Sequence, residues 1–127
     1  MIHNQDTLMR QIQVLIQGLG KLLGRNETFN VETVEPNNNV KLDTLHRRLI
    51  DILNRNEFNE AENLLFEQID TSENSNFILA LDFYTRLNEF TDEALNINNY
   101  TREEIKDGLE EVSRLFGFES VYNSIQG

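Results

Sequence analysis

Residues 76–88 read NFILALDFYTRLN, and their reading decides the fold. At 100° per residue, Phe77, Ile78, Ala80, Leu81, Tyr84 and Leu87 cover one broad side of a helix. Leu79 and Phe83 cover another, with Phe90 just beyond the end. Asp82, Arg86 and Glu89 make the one clear polar stripe. A helix this apolar has to be covered on two sides, so the rest of the chain is expected to pack around it.

The flanking residues supply helices of the ordinary one-sided kind. Leu42, Leu45, Leu49, Ile50, Ile52 and Leu53 predict a helix from about Leu42 to Asn54, with His46 in the same arc. A turn at residues 55–58 leads to a third helix with Phe58, Ala61, Leu64, Leu65 and Ile69 on its buried face. Asn59 and Glu62 have capping-box spacing at its start. Beyond residue 90, Thr91 can cap a short helix through Leu95. Thr101 with Glu104 makes a fuller capping box for the last long helix, whose stripe is Ile105, Leu109, Val112, Leu115 and Phe116. Gly117 then Phe118 reads as a Schellman stop, and Val121, Tyr122 and Ile125 add one further turn.

At the other end, Leu8, Met9, Ile12, Leu15, Ile16, Leu19, Leu22 and Leu23 recur at spacings of three and four. They predict an amphipathic helix from about Asp6 to Leu23. Gly18 and Gly20 inside it suggest close packing. Residues 25–40, with Pro36 and the Asn37-Asn38-Asn39 run, lack a helical period and read as a linker. A short strand over 28–34 is the other option there. The expected fold is all-α, with about five to six helices in antiparallel hairpins. It forms one domain: an N-terminal amphipathic helix (1–24), a linker (25–40) and a helical body (41–127).

The body carries a weak internal repeat. The run from Leu49 to Asn54 and then Asn59-Glu60-Ala61 matches the run from Phe83 to Asn88 and then Asp92-Glu93-Ala94. The shift is about 34 residues, the tetratricopeptide period. Residues 42–75 resemble one such unit, with Leu45 and Ile52 at large positions, Ala61 at the small one and Leu65 further on. Leu49, Gln68 and the missing closing proline depart from that pattern. A wider resemblance rests on Gln5-Asp6-Thr7-Leu8-Met9-Arg10, Asn59-Glu60-Ala61-Glu62-Asn63-Leu64-Leu65, Ala80-Leu81-Asp82-Phe83-Tyr84 with Leu87-Asn88, and Arg102-Glu103-Glu104-Ile105. On these the chain resembles a family of small, acidic, uncharacterised proteins of low-GC Gram-positive bacteria, a domain of unknown function. That resemblance implies an all-helical fold and no known activity, and it carries no functional residue over.

Charge narrows the function classes. The chain has 127 residues, 11 Lys+Arg, 22 Asp+Glu and a net charge of −11. Non-specific nucleic-acid binding needs cations on phosphates, and anionic membranes repel such a chain. Neither nucleic acid nor membrane is therefore an expected partner. Residues 1–24 hold Arg10, Lys21 and Asp6, so their net is +1 and the remainder carries −12. There are no cysteines, which excludes disulfides and thiol chemistry and suits the cytoplasm. No signal peptide is expected, because Gln11, Gln13 and Gln17 break the apolar run.

Little chemistry is available. No phosphate loop, Ser-His-Asp arrangement or His-Glu-x-x-His helix is present, and no metal or cofactor is expected. Glu103, Asp107 and Glu111 share a helix face, and Glu110 is placed to pair with Arg114. Both read as a solvated surface. His46 reads as a boundary histidine hydrogen-bonded in or near the core, or as a ligand or base. The expectation is a non-catalytic interaction module or helical homo-oligomer, not an enzyme. Its contact residues would be Leu8, Ile12, Leu15, Leu19 and Leu22, because Leu8, Leu15 and Leu22 are seven apart like a coiled-coil seam. The same stripe also fits core packing. The alternative is a small-ligand binder or enzyme using carboxylates near His46 and Tyr84.

Overall fold

The computed structural model of the chain describes residues 2–22 and 40–126. The expected 25–40 linker therefore lies outside the described residues, apart from Val40, which begins a helix. Seven helices are present among the described residues, in place of five or six, and no strand. They are α1 (Ile2–Lys21), α2 (Val40–Asn54), α3 (Phe58–Gln68), α4 (Asn74–Asn88), α5 (Asp92–Ile97), α6 (Arg102–Leu115) and α7 (Glu119–Gln126). The extra helix is α7, where a single turn was expected.

α4 is central. Residues 76–84 are buried without interruption, Asn76 and Asp82 included. α2 packs on one side of it with α3 behind, and α1 and α6 pack on the other with α7 against both. This arrangement follows from the all-round apolarity of α4, since each side it presents has to find a covering stripe. Aromatic contacts tie the layers together. Phe58 meets Phe90 edge-on at 4.8 Å between ring centroids, and Phe77 meets Phe118 at 4.9 Å.

The helix ends are mostly chemical. Thr101 and Glu104 form the reciprocal capping box of α6, and the Thr91 hydroxyl accepts from the Ala94 amide at the start of α5. The same device ends three helices. After α2, α5 and α6, one residue in the left-handed region is followed by a long backbone bond back into the helix. These residues are Asn56 (φ 60°), Asn99 (φ 62°) and Gly117 (φ 83°). The closing bonds run from Glu57 to Ile52, Tyr100 to Leu95 and Phe118 to Ser113. Asparagine tolerates this conformation better than other non-glycine residues.

Four sequence expectations are corrected. Asn59 and Glu62 do not form a capping box: α3 starts at Phe58, and its first residues have no side-chain cap. The Asn59 amide instead donates to the Asn99 carbonyl (3.0 Å), and the Glu62 carboxylate is taken by two tyrosines. Asp82 is buried, not solvated, because His46 and Arg86 both bond it. Arg114 pairs with Glu111, one turn away, not with Glu110. Leu115 is exposed at the end of α6, leaving Phe116 to complete that stripe.

Candidate functional site

The stripe proposed for contact faces mostly inward. Ile12, Leu15 and Leu19 are at most 2% exposed and belong to the common core. Leu8 is half-buried against that core, and Leu22 is 41% exposed. The physical reason is α4: its second side needs a cover, and α1 supplies it. Gly18 faces α7, where a Cβ would stand 2.6 Å from the Cδ1 end of the Ile125 side chain. What α1 leaves to solvent among the described side chains is Asp6, Thr7, Arg10, Gln11, Gln13, Val14, Gln17 and Lys21. Val14 is 57% exposed, an apolar side chain on an otherwise polar face.

A cleft of about 480 Å³ opens beside it, where α1 meets α6 and α7. Thr7, Arg10, Gln11, Val14 and the edge of Leu15 line it from α1, Lys106 from α6, and Ile125 and Gln126 from α7. The volume lies in the ordinary range of binding pockets, about 300–1,000 Å³. A second cleft of about 480 Å³ lies between the start of α2 and the α3–α4 turn. It holds both signs of charge, Lys41 and Arg48 against Asp70 and Glu73.

Three polar clusters lie inside the fold. In the first, Asp82 Oδ2 bonds His46 Nε2 (2.9 Å) and accepts from Arg86 Nε (2.8 Å). His46 is therefore hydrogen-bonded at the core edge, tying α2 to α4. The second centres on Glu62 of α3. Its carboxylate accepts from the Tyr84 hydroxyl (2.5 Å) and the Tyr100 hydroxyl (3.1 Å). Burial raises the Glu62 carboxyl above its ordinary range, and it pushes both tyrosines upward, Tyr84 strongly. Gly108 of α6 packs against this pair, leaving no room for a Cβ beside the Tyr84 hydroxyl.

Asp82 and Tyr84 are two residues apart on α4, hence about 200° around the helix. The acid that meets His46 and the acid that meets Tyr84 are therefore on different sides of α4. The arrangement imagined for a ligand site, with His46, Tyr84 and one acid converging, does not form. Among the described residues, no three His, Asp or Glu side chains are placed to share a metal ion.

The third cluster was not legible as anything but an exterior cation. Arg102, at the start of α6, is buried. Its guanidinium donates to the Asn88 carbonyl (2.8 Å), the Asn88 side chain (2.9 Å), the Phe90 carbonyl (2.8 Å) and the Asp92 carboxylate (2.7 and 3.0 Å). These are the open carbonyls at the end of α4 and the first acid of α5. Asn88 in turn donates to the Met9 carbonyl of α1 (3.1 Å). One arginine thus fastens the α4–α5 corner, and through Asn88 it reaches α1. A signal was present: Asp92 stands ten residues before an Arg at a helix start. Nothing local distinguishes that Arg from a surface one.

Residues 2–117 match the model of a family described as a family of unknown function (DUF6483), and the chain belongs to that family. No curated protein and no solved structure matches it. No helix among the described residues is long and apolar enough to cross a membrane.

Proposed function

We propose that this protein is a non-catalytic, cytoplasmic protein-interaction module, with α2 and α3 as a tetratricopeptide-like hairpin. Its contact surface is the outer side of α1 together with the cleft beside α7. The observation that carries this reading is Val14, an exposed apolar side chain at the mouth of a cleft of about 480 Å³. Interaction sites that accept a helix or loop are read through a few apolar anchors set among polar groups. Of the five leucine and isoleucine positions first considered, Leu8 and Leu22 keep exposed surface that such a contact can use, and the other three hold α1 in place. The internal polar clusters support the same reading. Each is satisfied by protein groups, side chain or backbone, and joins at least two elements of the scaffold.

The test compares Val14→Asp with Leu15→Asp. Val14→Asp keeps the helical circular dichroism and thermal midpoint of the wild type. It abolishes the wild type's complexes, whether self-association in sedimentation or a partner recovered from native cytosol and identified. Leu15→Asp unfolds the chain. Wild-type complexes that survive Val14→Asp unchanged overturn the assignment of the surface.

A further inference from the structure

The cleft beside α7 has a charge opposite to that of the molecule. Arg10 and Lys106 line it, and among the described residues no carboxylate does. Neither cation is in an ion pair with a described residue, while the chain as a whole carries −11. The apolar part of the lining is Val14, Ile125 and the edge of the otherwise buried Leu15, and its uncharged polar part is Thr7, Gln11 and Gln126. Beyond the cleft the sign changes at once. Glu103 and Glu110 are the helical neighbours of Lys106, and Glu110 and Asp107 act on Tyr122 of α7. The two cations are therefore bounded by acid, Glu103 and Glu110 along the α6 rim and Asp6 one turn before Arg10 on α1.

We propose that this cleft takes an amphipathic segment of a partner protein, its apolar side chain against Val14 and Ile125 and one or two carboxylates between Arg10 and Lys106. This rests on the reading of the protein as an interaction module and names the partner's chemistry. Charge complementarity selects the occupant. A basic segment meets two cations of its own sign. A polyacidic run overreaches into Glu103 and Glu110. A nucleic acid needs a longer track of cations than two. A second copy brings its own −11, and net charges of one sign repel.

The experiment is an amide chemical-shift titration of the ¹⁵N-labelled full chain at low salt with three synthetic peptides. The first is a helix-forming peptide with three leucines on one face and two glutamates beside them. In the second, the glutamates are replaced by lysines. The third is a glutamate homopolymer of equal length. The first is expected to shift the amides of Arg10, Val14, Lys106 and Ile125, more weakly as salt rises. The Arg10→Glu/Lys106→Glu double variant should lose about tenfold in affinity for it and gain affinity for the lysine peptide. Preference of the wild type for the lysine peptide or the homopolymer at these amides overturns the acidic-segment proposal and leaves the interaction surface standing. If no peptide shifts these amides and Val14→Asp also leaves native complexes intact, both readings fall.

Discussion

Replacing Arg102 with alanine removes five donor contacts from a side chain that is 3% exposed. The Asn88 carbonyl and side-chain oxygen lose their guanidinium donor in a residue that is itself buried. The Phe90 carbonyl and the Asp92 carboxylate, which is 38% exposed, can regain water. An unsatisfied buried polar group costs about 1–3 kcal/mol. Two such groups, with the lost packing of the arginine stem, give a destabilisation of about 3–5 kcal/mol. Arg102→Lys separates charge from geometry. Lysine keeps the positive charge but carries its donors on one nitrogen, which cannot reach Asn88, Phe90 and Asp92 together. It should lose about 2 kcal/mol. Urea unfolding followed by circular dichroism reads both. With a slope of about 1–3 kcal/mol per molar, the alanine midpoint falls by about 2 M at unchanged slope. The control is Arg55→Ala. Its pair with Glu57 is exposed on both sides, and its removal should cost under about 0.5 kcal/mol. An alanine variant within error of that control, or a lysine variant equal to wild type, refutes the claim that the fork holds the α4–α5 corner.

Two glycines should respond oppositely to alanine in the same unfolding assay. At Gly108 a Cβ collides with the Tyr84 hydroxyl and the Glu62 carboxylate, so Gly108→Ala should cost about 1–2 kcal/mol. At Gly18 the obstacle is the flexible end of Ile125, and the helix-propensity gain of about 1 kcal/mol leaves Gly18→Ala neutral or stabilising. The Ser113 hydroxyl is buried without a partner among the described residues, so Ser113→Ala should raise the thermal midpoint, for a gain of about 1 kcal/mol. Because the Glu62 carboxyl is raised in the fold, its stabilising contribution is complete below about 4.5 and is lost as pH climbs through the folded value. Glu62→Gln should therefore be more harmful in acid than at neutral pH. The raised tyrosines act likewise at high pH, with stability falling above about 10, and Tyr122, pushed up to about 12 by burial, adds to the loss. Phenolate absorbance should rise together with loss of helix.

What could be read from the sequence was what is local. The α6 capping box, the Thr91 cap, the Gly117 stop and the central place of α4 each depend on residues within a few positions of one another. The misreadings involve partners far along the chain. Asp82 looks like a solvated stripe until His46, 36 residues away, is brought to it. Asn59 and Glu62 have the right spacing for a cap, but Tyr84 and Tyr100 take the carboxylate. Asn56 and Asn99 end helices as glycine does at 117, yet in an asparagine-rich chain neither stands out. For α1 the periodicity showed a stripe and could not say what it faces. The deciding fact was already in residues 76–88, since a helix apolar on two sides requires two covers. The α7 cleft was not legible, because Arg10 and Lys106 come together only when α1 lies along α6.

The placement of α1 has a consequence during synthesis. Its apolar stripe is made before the surfaces that cover it, which belong to α4, α6 and α7. About 100 more residues must be made before α7 is complete, which takes about 5–20 s at ordinary elongation rates. Through that interval Ile12, Leu15, Ile16 and Leu19 have no native cover from the closing end of the chain. During synthesis α2 and α3 can thus pair early, while α1 waits for α7. The bond from Asn88 to the Met9 carbonyl, spanning 79 residues, is among the last that can form.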